Sequence, residues 1–145
     1  MKKVLLLILI IISQWTFAQE NDSKEIPLSY VGITPVYPGC EDETSNYLKK
    51  QCFSKKINEH FFEYFDVRKA TKKTKLEPGV YKIYISFIVN IEGNITEIKT
   101  KSPHKNIDKE ARRVMKFVPK IIPGKINGAL VDVPFSLPVT FRIYR

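Results

Sequence analysis

Two cysteines and two histidines are the residues of this chain with the most distinctive side-chain chemistry. Cys40 and Cys52 both follow an apolar N-terminal segment. An even number of cysteines in an exported chain favours a disulfide, which would stabilise the fold by on the order of 3 kcal/mol. Their spacing does not fit the Cys-x-x-Cys pattern of redox pairs, and a zinc site would need more ligands than two cysteines. The sequence therefore predicts a structural Cys40–Cys52 disulfide and no metal site.

The two histidines do not form a recognisable catalytic arrangement. His60 lies in the stretch NEHFFEYF, which lacks the HExxH spacing of zinc proteases. His104 follows Pro103 in a predicted loop and has no obvious catalytic partner. No glycine-rich phosphate loop follows a strand, and no motif indicates a cofactor. We therefore predict a non-enzymatic protein with no catalytic residues and no cofactor.

The first eighteen residues have the form of a secretory signal peptide. Lys2 and Lys3 precede nine aliphatic residues, Val4 to Ile12, and Ala18 provides a small residue at the exit. A membrane-spanning helix needs roughly 20 apolar residues, so the short apolar centre favours cleavage after Ala18. The alternative is an inner-membrane anchor through residues 4–17, with the remainder facing the periplasm. The main prediction is an exported protein that is periplasmic after cleavage.

The composition is basic, with 24 Lys and Arg against 15 Asp and Glu and a formal charge of +9. Removal of residues 1–18 takes away Lys2 and Lys3 and lowers this charge to +7. A basic surface can bind nucleic acid, but an exported chain seldom meets any, so we predict no nucleic-acid partner. Anionic envelope surfaces or acidic peptide segments are the expected partners. A solvated lysine-rich surface without any partner is the simpler alternative.

The most regular pattern of the chain is its C-terminal stretch, VDVPFSLPVTFRIY. Every second residue from Val131 to Ile143 is apolar, which is typical of a strand with one face on a core and one in solvent. Pro134 and Pro138 have the same parity, so their missing N–H groups lie along one edge of this strand. The pattern predicts an edge strand whose open edge can accept another chain.

Two more strands and two helices are predicted upstream. Residues 81–90 alternate as a long strand, Gly93 suits a short hairpin loop, and residues 94–102 return as a second strand. A helix is predicted over residues 45–65 with Ser54 as its N-cap, and a second helix begins at Asn106 or Asp108. Their buried stripes are predicted to be Phe53, Ile57, Phe61 and Phe65 in the first helix and Ile107, Ala111, Val114 and Val118 in the second.

This order of elements predicts a two-layer α+β fold. Two main helices would pack on one face of a three-stranded antiparallel sheet. Residues 35–145 are expected to form this domain, and residues 19–34 a short polar tail. The lysine-rich stretch from Val67 to Pro78 is interpreted as a solvated connection.

From Gly79 onward the chain resembles the C-terminal domain of TonB, and in particular TonB-like proteins of Bacteroidetes-type Gram-negative bacteria. The motifs that carry the resemblance, in order, are GVYKIYISFIVNIEGNIT, KEARRV, VPKIIPGKINGALV and LPVTFRI. The resemblance implies the fold just described. It also implies that the last strand pairs with the TonB box, an extended segment of an outer-membrane transporter, in energy-coupled transmembrane transport. The implied docking residues follow Pro138 and are Val139, Thr140, Phe141, Arg142, Ile143 and Tyr144.

The docking hypothesis has one alternative. The alternative is a cell-envelope structural or assembly adaptor, in which the same edge pairs with its own copy in a homodimer or with another envelope protein. About sixteen residues between Gln19 and Pro35 reach at most roughly 55 Å, which is too short a tether to carry the domain across a periplasm to a proton-driven motor. Docking on the last strand predicts that Phe141→Pro abolishes binding of a TonB-box peptide while the fold survives.

Overall fold

The computed structural model describes residues 32–144. The predicted signal peptide, residues 1–18, and most of the predicted tail therefore lie outside the described residues. The helices and strands, in chain order, are α1 (Asn46–Tyr64), α2 (Val67–Thr71), β1 (Gly79–Val89), β2 (Ile95–Lys101), α3 (Lys105–Met115), β3 (Gly124–Ile126), β4 (Ala129–Val131) and β5 (Val133–Ile143). No helix between residues 32 and 144 combines the length and the apolar composition that a membrane crossing requires.

A three-stranded antiparallel sheet with the order β2-β1-β5 forms one layer of the fold. β1 and β5 pair without irregularity along their whole length, from Gly79 opposite Ile143 to Val89 opposite Val133. The helices pack on one face of this sheet, so the predicted α+β fold is confirmed.

The core lies between the sheet and the two long helices. The alternating residues of β1 that face the helices are almost completely buried, and the predicted stripes of both helices belong to the same core except for Val118. Val118 lies beyond the end of α3 and is only partly buried, and Met115 is the last buried residue of that helix. Aromatic rings join the layers: Phe135 of β5 stacks on Phe53 of α1 at 4.4 Å between centroids and lies 5.5 Å from Phe87 of β1. The opposite face of the sheet is in solvent, where Tyr84 and Val80 are about half exposed.

The turn between β1 and β2 depends on Gly93. Asn90 N donates to Asn94 O at 3.0 Å, and Gly93 closes the loop with a φ of 81°. Ile121 N donates to Gly93 O at 2.8 Å, and a Cβ at position 93 would lie 1.9 Å from Ile121 O. A glycine is therefore required here for two reasons, its positive φ and the close approach of another backbone segment.

The helix starts differ from the predicted ones. Ser45 is the N-cap of α1, since its Oγ accepts from Leu48 N at 3.2 Å, and Ser54 lies inside the helix. The N-cap of α3 is His104, whose Nδ1 accepts from Asn106 N at 3.1 Å. The predictions of Ser54 and of Asn106 or Asp108 as caps were wrong. The imidazole of His104 therefore caps α3 in place of the Ser, Thr, Asp or Asn side chain that usually does so.

The lysine-rich stretch is also more ordered than predicted. Asp66 caps the short helix α2, where its Oδ1 accepts from Lys69 N at 3.0 Å. Ala70 is completely buried. The interpretation of residues 67–78 as a solvated connection was therefore wrong for its first part.

A small second sheet extends the N-terminal side of the domain. Asn127 and Gly128, with φ values of 48° and 82°, form the tight turn between β3 and β4. Ile33 pairs with Lys125, so the packed region includes residues 32–34 of the predicted tail. Three residues per strand are too few to show an alternation, and the sequence therefore indicated the turn but not the strands.

The predicted disulfide is confirmed. Cys40 and Cys52 are bonded, with their Cα atoms 5.9 Å apart. Cys40 is 1 % exposed, and Cys52 lies in the first half of α1. The bond therefore attaches the turn-rich PVYPGC segment to the helix that covers β5.

Candidate functional site

β5 is an edge strand, as its two prolines predict. Its inner edge pairs with β1, and no strand between residues 32 and 144 pairs with its outer edge. An unpaired edge carries free N–H and C=O groups that can pair with another chain. The candidate site is therefore this outer edge.

The hydrogen bonds of the β1–β2 hairpin settle the direction of the backbone groups. Asn90 N bonds to Asn94 O, so the even-numbered residues of β1 point towards β2. Neighbouring residues of a strand point to opposite edges, so the odd-numbered residues of β1 point towards β5. Odd residues of β1 lie opposite odd residues of β5, as in the pair Tyr81 and Phe141. The even-numbered residues of β5 therefore direct their backbone groups outward.

Prolines block the first half of this outer edge. Pro134 and Pro138 are both even-numbered, and neither has an N–H to offer. Ser136 lies between them, so its N–H is isolated. Beyond Pro138, Thr140 and Arg142 are the consecutive outward residues that keep both donor and acceptor. The usable edge is thus the last part of β5.

The six predicted docking residues divide into two alternating sets. Val139 and Phe141 are 1 % and 5 % exposed, and Ile143 is half-buried, so their side chains belong to the core face. Thr140, Arg142 and Tyr144 are exposed on the open face, and the Arg142 guanidinium lies 5.9 Å from the centre of the Tyr144 ring. The structure brings all six together on one strand end, and their role in binding stays a prediction.

Phe141 is the wrong position for a proline that tests docking. Its ring packs against Phe65 at 5.5 Å and Tyr81 at 5.9 Å, and its backbone faces β1. A proline there would break the internal ladder and empty part of the core, so the structure leads us to expect that Phe141→Pro destabilises the fold as well as any docking. Thr140 is the corresponding outward position, and its parity with Pro138 in the sequence was sufficient to identify it.

α1 lies above this edge. Phe53 of α1 contacts Phe135 of β5, and Phe65, the C-cap of α1, contacts Phe141, so this helix covers the edge strand. α3 lies on the other flank of α1, where His60 Nε2 is 3.3 Å from a backbone oxygen of α3. The flank of α1 turned away from α3 therefore lies on the side of the outer edge of β5. It carries Ser54, Asn58 and Phe62, which are spaced four residues apart, and Phe62 is 52 % exposed.

The other edge of the sheet is built to resist pairing. β2 has a bulge, since Ser86 lies opposite Lys99 but Ile88 lies opposite Thr96. Glu97, in the bulge, has a φ of 49°, which breaks the regular line of backbone groups. Short length, a bulge and lysines are recognised protections of an edge strand.

Both histidines make contacts with the backbone. His60 is 8 % exposed and contacts Val114 O through Nε2, and His104 caps α3. Among residues 32–144, no three His, Cys, Asp or Glu side chains are grouped closely enough to hold a metal ion. These observations assign the two imidazoles structural contacts within the fold.

Comparisons with known proteins found no matching family, no matching curated protein and no matching solved structure. The resemblance to the C-terminal domain of TonB therefore stays a prediction from the motifs quoted above.

Proposed function

We propose that this protein is a non-enzymatic binding module that takes up an extended peptide on the outer edge of β5 by strand addition. The observation that carries the proposal is the regular, unpaired end of β5 beyond Pro138, in a sheet whose other edge is bulged. Strand addition uses the backbone for affinity and alternate side chains for selectivity.

The backbone contribution alone is modest. Thr140 and Arg142 together offer two N–H groups and two carbonyls to an added strand. Four hydrogen bonds contribute about 2–6 kcal/mol in total, from which the cost of association must be subtracted. Useful affinity therefore requires contacts from the side chains of the added strand.

The two faces of the edge favour different side chains. On the open face, the exposed Arg142 beside Tyr144 favours an acidic residue in the added strand. On the helix face, the exposed ring of Phe62 favours an apolar residue. The partner is therefore an extended segment in which apolar residues alternate with polar residues that include an acid.

The resemblance to TonB gives this segment an identity. The partner is the TonB box of an outer-membrane TonB-dependent transporter, and the site of action is the periplasm. In this proposal the protein takes part in energy-coupled transmembrane transport through its last strand. In TonB a long spacer joins this domain to the motor, and the proposal does not depend on such a spacer.

Self-pairing of β5, the basis of the assembly alternative, is disfavoured by charge. Antiparallel pairing of two copies through Thr140 and Arg142 brings the two Arg142 side chains close together. Like charges on neighbouring strands destabilise a pair, and the whole chain carries a formal charge of +9. An acidic peptide is therefore a better occupant of this edge than a second copy.

A binding assay with outward prolines tests the proposal. Fluorescence anisotropy measures the affinity of labelled TonB-box peptides for the wild type and for Thr140→Pro, which removes an outward N–H and keeps the internal ladder. We expect at least a tenfold loss of affinity, equivalent to about 1.4 kcal/mol. Thr140→Ala keeps the N–H and should bind within about twofold of the wild type.

Ser136→Pro is the matched control, because it removes an outward N–H from the part of the edge that is already blocked. It should leave peptide affinity unchanged within about twofold. Equal binding by Thr140→Pro and the wild type would overturn the docking proposal. Concentration-dependent dimers in sedimentation, abolished by Thr140→Pro and accompanied by no peptide binding, would favour the assembly alternative.

A further inference from the structure

A concave surface that is separate from the outer edge of β5 lies between α2 and α3. Its cavity volume is about 500 Å³, and no residue of β5 lines it. Ligand cavities of this general size, roughly 300–1,000 Å³, hold small molecules or headgroups. The lining residues are Lys69, Lys72, Lys73, Asn106, Lys109, Glu110 and Arg113, and we call this surface the lysine groove.

The lysine groove is strongly cationic. Four lysines and one arginine face a single carboxylate, that of Glu110, so the lining has a formal charge of +4. Several like charges that converge on one cavity repel one another unless an anion neutralises them. The groove therefore has the electrostatic character of an anion site.

The single carboxylate is already engaged by neighbouring groups. Glu110 is 4 % exposed, and its Oε2 accepts from Arg113 Nε at 2.9 Å and lies 3.9 Å from Lys69 Nζ. The hydrogen bonds and the positive charge of Arg113 lower the pKa of the Glu110 carboxyl below its ordinary value, against the opposing effect of burial. Glu110 therefore stays ionised at neutral pH and is occupied in holding its neighbours.

The same residues fix the walls of the groove. Arg113 also donates to Tyr64 O at 2.7 Å, which ties the end of α1 to α3. Asn106 Nδ2 donates to Lys72 O at 2.9 Å, which holds the segment after α2 against α3. Lys73 follows with a φ of 60°, a conformation that a lysine rarely adopts. The backbone that carries the cations is thus held in place by specific contacts.

Three cations of the groove remain uncompensated. Lys72, Lys73 and Lys109 form no ion pair with any residue in the described range 32–144. They come from two separate elements, the segment after α2 and the helix α3. Three free ammonium groups facing one cavity match a ligand with more than one negative charge.

We propose that the lysine groove is a binding site for a phosphomonoester. A phosphomonoester carries close to two negative charges at neutral pH and three strong acceptor oxygens, whereas a carboxylate carries one charge. Lysine ammonium groups bind phosphate as point charges without demanding one geometry. Asn106 also lines the groove, where its amide holds the backbone of Lys72 in place. The site is independent of peptide docking on β5.

The phosphomonoester can come from two sources, a soluble sugar phosphate or a lipid headgroup, and two arms of one experiment distinguish them. In the first, glucose 6-phosphate is titrated into the ¹⁵N-labelled protein and amide shifts are recorded. In the second, the protein is sedimented with phosphatidylcholine vesicles that contain phosphatidic acid, with pure phosphatidylcholine vesicles as the reference. Saturable shifts at Lys72, Lys73 and Lys109 indicate the soluble source, and selective co-sedimentation indicates the lipid source.

The variants make the test specific for the groove. Lys72→Gln combined with Lys109→Gln should lower affinity at least tenfold in whichever arm shows binding. Lys50→Gln combined with Lys120→Gln changes the net charge equally at exposed positions outside the groove and should bind like the wild type. No binding in either arm, or an equal loss in both double variants, would show that only general surface charge is at work and would overturn the proposal.

Discussion

The two edges of the three-stranded sheet are built differently, although β2 and β5 pair with the same central strand. β2 is short, bulged at Glu97 and lysine-bearing, whereas β5 pairs regularly along eleven residues. On β5 the protection is partial, because Pro134 and Pro138 block the beginning of the outer edge and leave its end open. The edge at β2 is distorted by a bulge, and the edge at β5 is blocked by prolines only at its beginning. The end of β5 is therefore the place where the fold can accept an added strand.

The largest expected effect is the difference in stability between a proline at position 141 and a proline at position 140 of β5. Phe141→Pro should destabilise the protein by about 4 kcal/mol, because it removes a core ring and a bond to β1. Thr140→Pro should cost less than about 1 kcal/mol, since the N–H that it removes faces solvent. Urea denaturation of both variants measures the difference in free energy of unfolding. Similar losses in the two variants would contradict the assignment of inward and outward residues.

A second prediction concerns the hairpin that places β2 at the other edge. Gly93→Ala should destabilise the fold by about 3 kcal/mol, since it combines an unfavourable positive φ with a clash against Ile121 O. Gly128→Ala is the matched control, because Gly128 has nearly the same φ of 82° but no atom within 4 Å of the place that a Cβ would occupy. It should cost only about 1 kcal/mol. Thermal unfolding of both variants separates strain from steric contact, and equal shifts would refute the close approach.

The smallest effect should come from the bulge on β2. Glu97 has a φ of 49°, which glycine adopts without penalty. Glu97→Gly should therefore stabilise the protein by about 1 kcal/mol in chemical denaturation, whereas Glu97→Ala should not. A loss of stability in the glycine variant would mean that the Glu97 side chain, rather than the backbone, maintains this edge.

Much of the fold follows from local patterns, and the errors have local causes. The alternation in β1 and β5 and the four-residue spacing from Phe53 to Phe65 predicted the strands, the helices and their buried faces. His104 was missed as a cap because histidine is uncommon there, and α2 was missed because its single buried residue, Ala70, lies among lysines. Elements of three to five residues carry too little periodic signal to be recognised.

The candidate site was likewise predictable from the sequence only in part. The shared parity of Pro134 and Pro138 predicted an edge that is unpaired within the sheet, and the same counting identifies Thr140 and Arg142 as the outward residues that keep their N–H groups. The location of Ser54, Asn58 and Phe62 on the side of this edge was not predictable, because it depends on which strand this helix covers.

By itself, the sequence determined which residues of β5 face the core and which of its positions have no N–H. These properties follow from the two-residue period of a strand and from the covalent structure of proline, so they do not depend on neighbours. The tertiary structure alone decided that β1 is the strand with which β5 pairs, and that Lys72 and Lys73 meet Lys109 and Arg113 in one groove. Both depend on contacts between segments far apart in the chain, where packing of the whole core sets the arrangement.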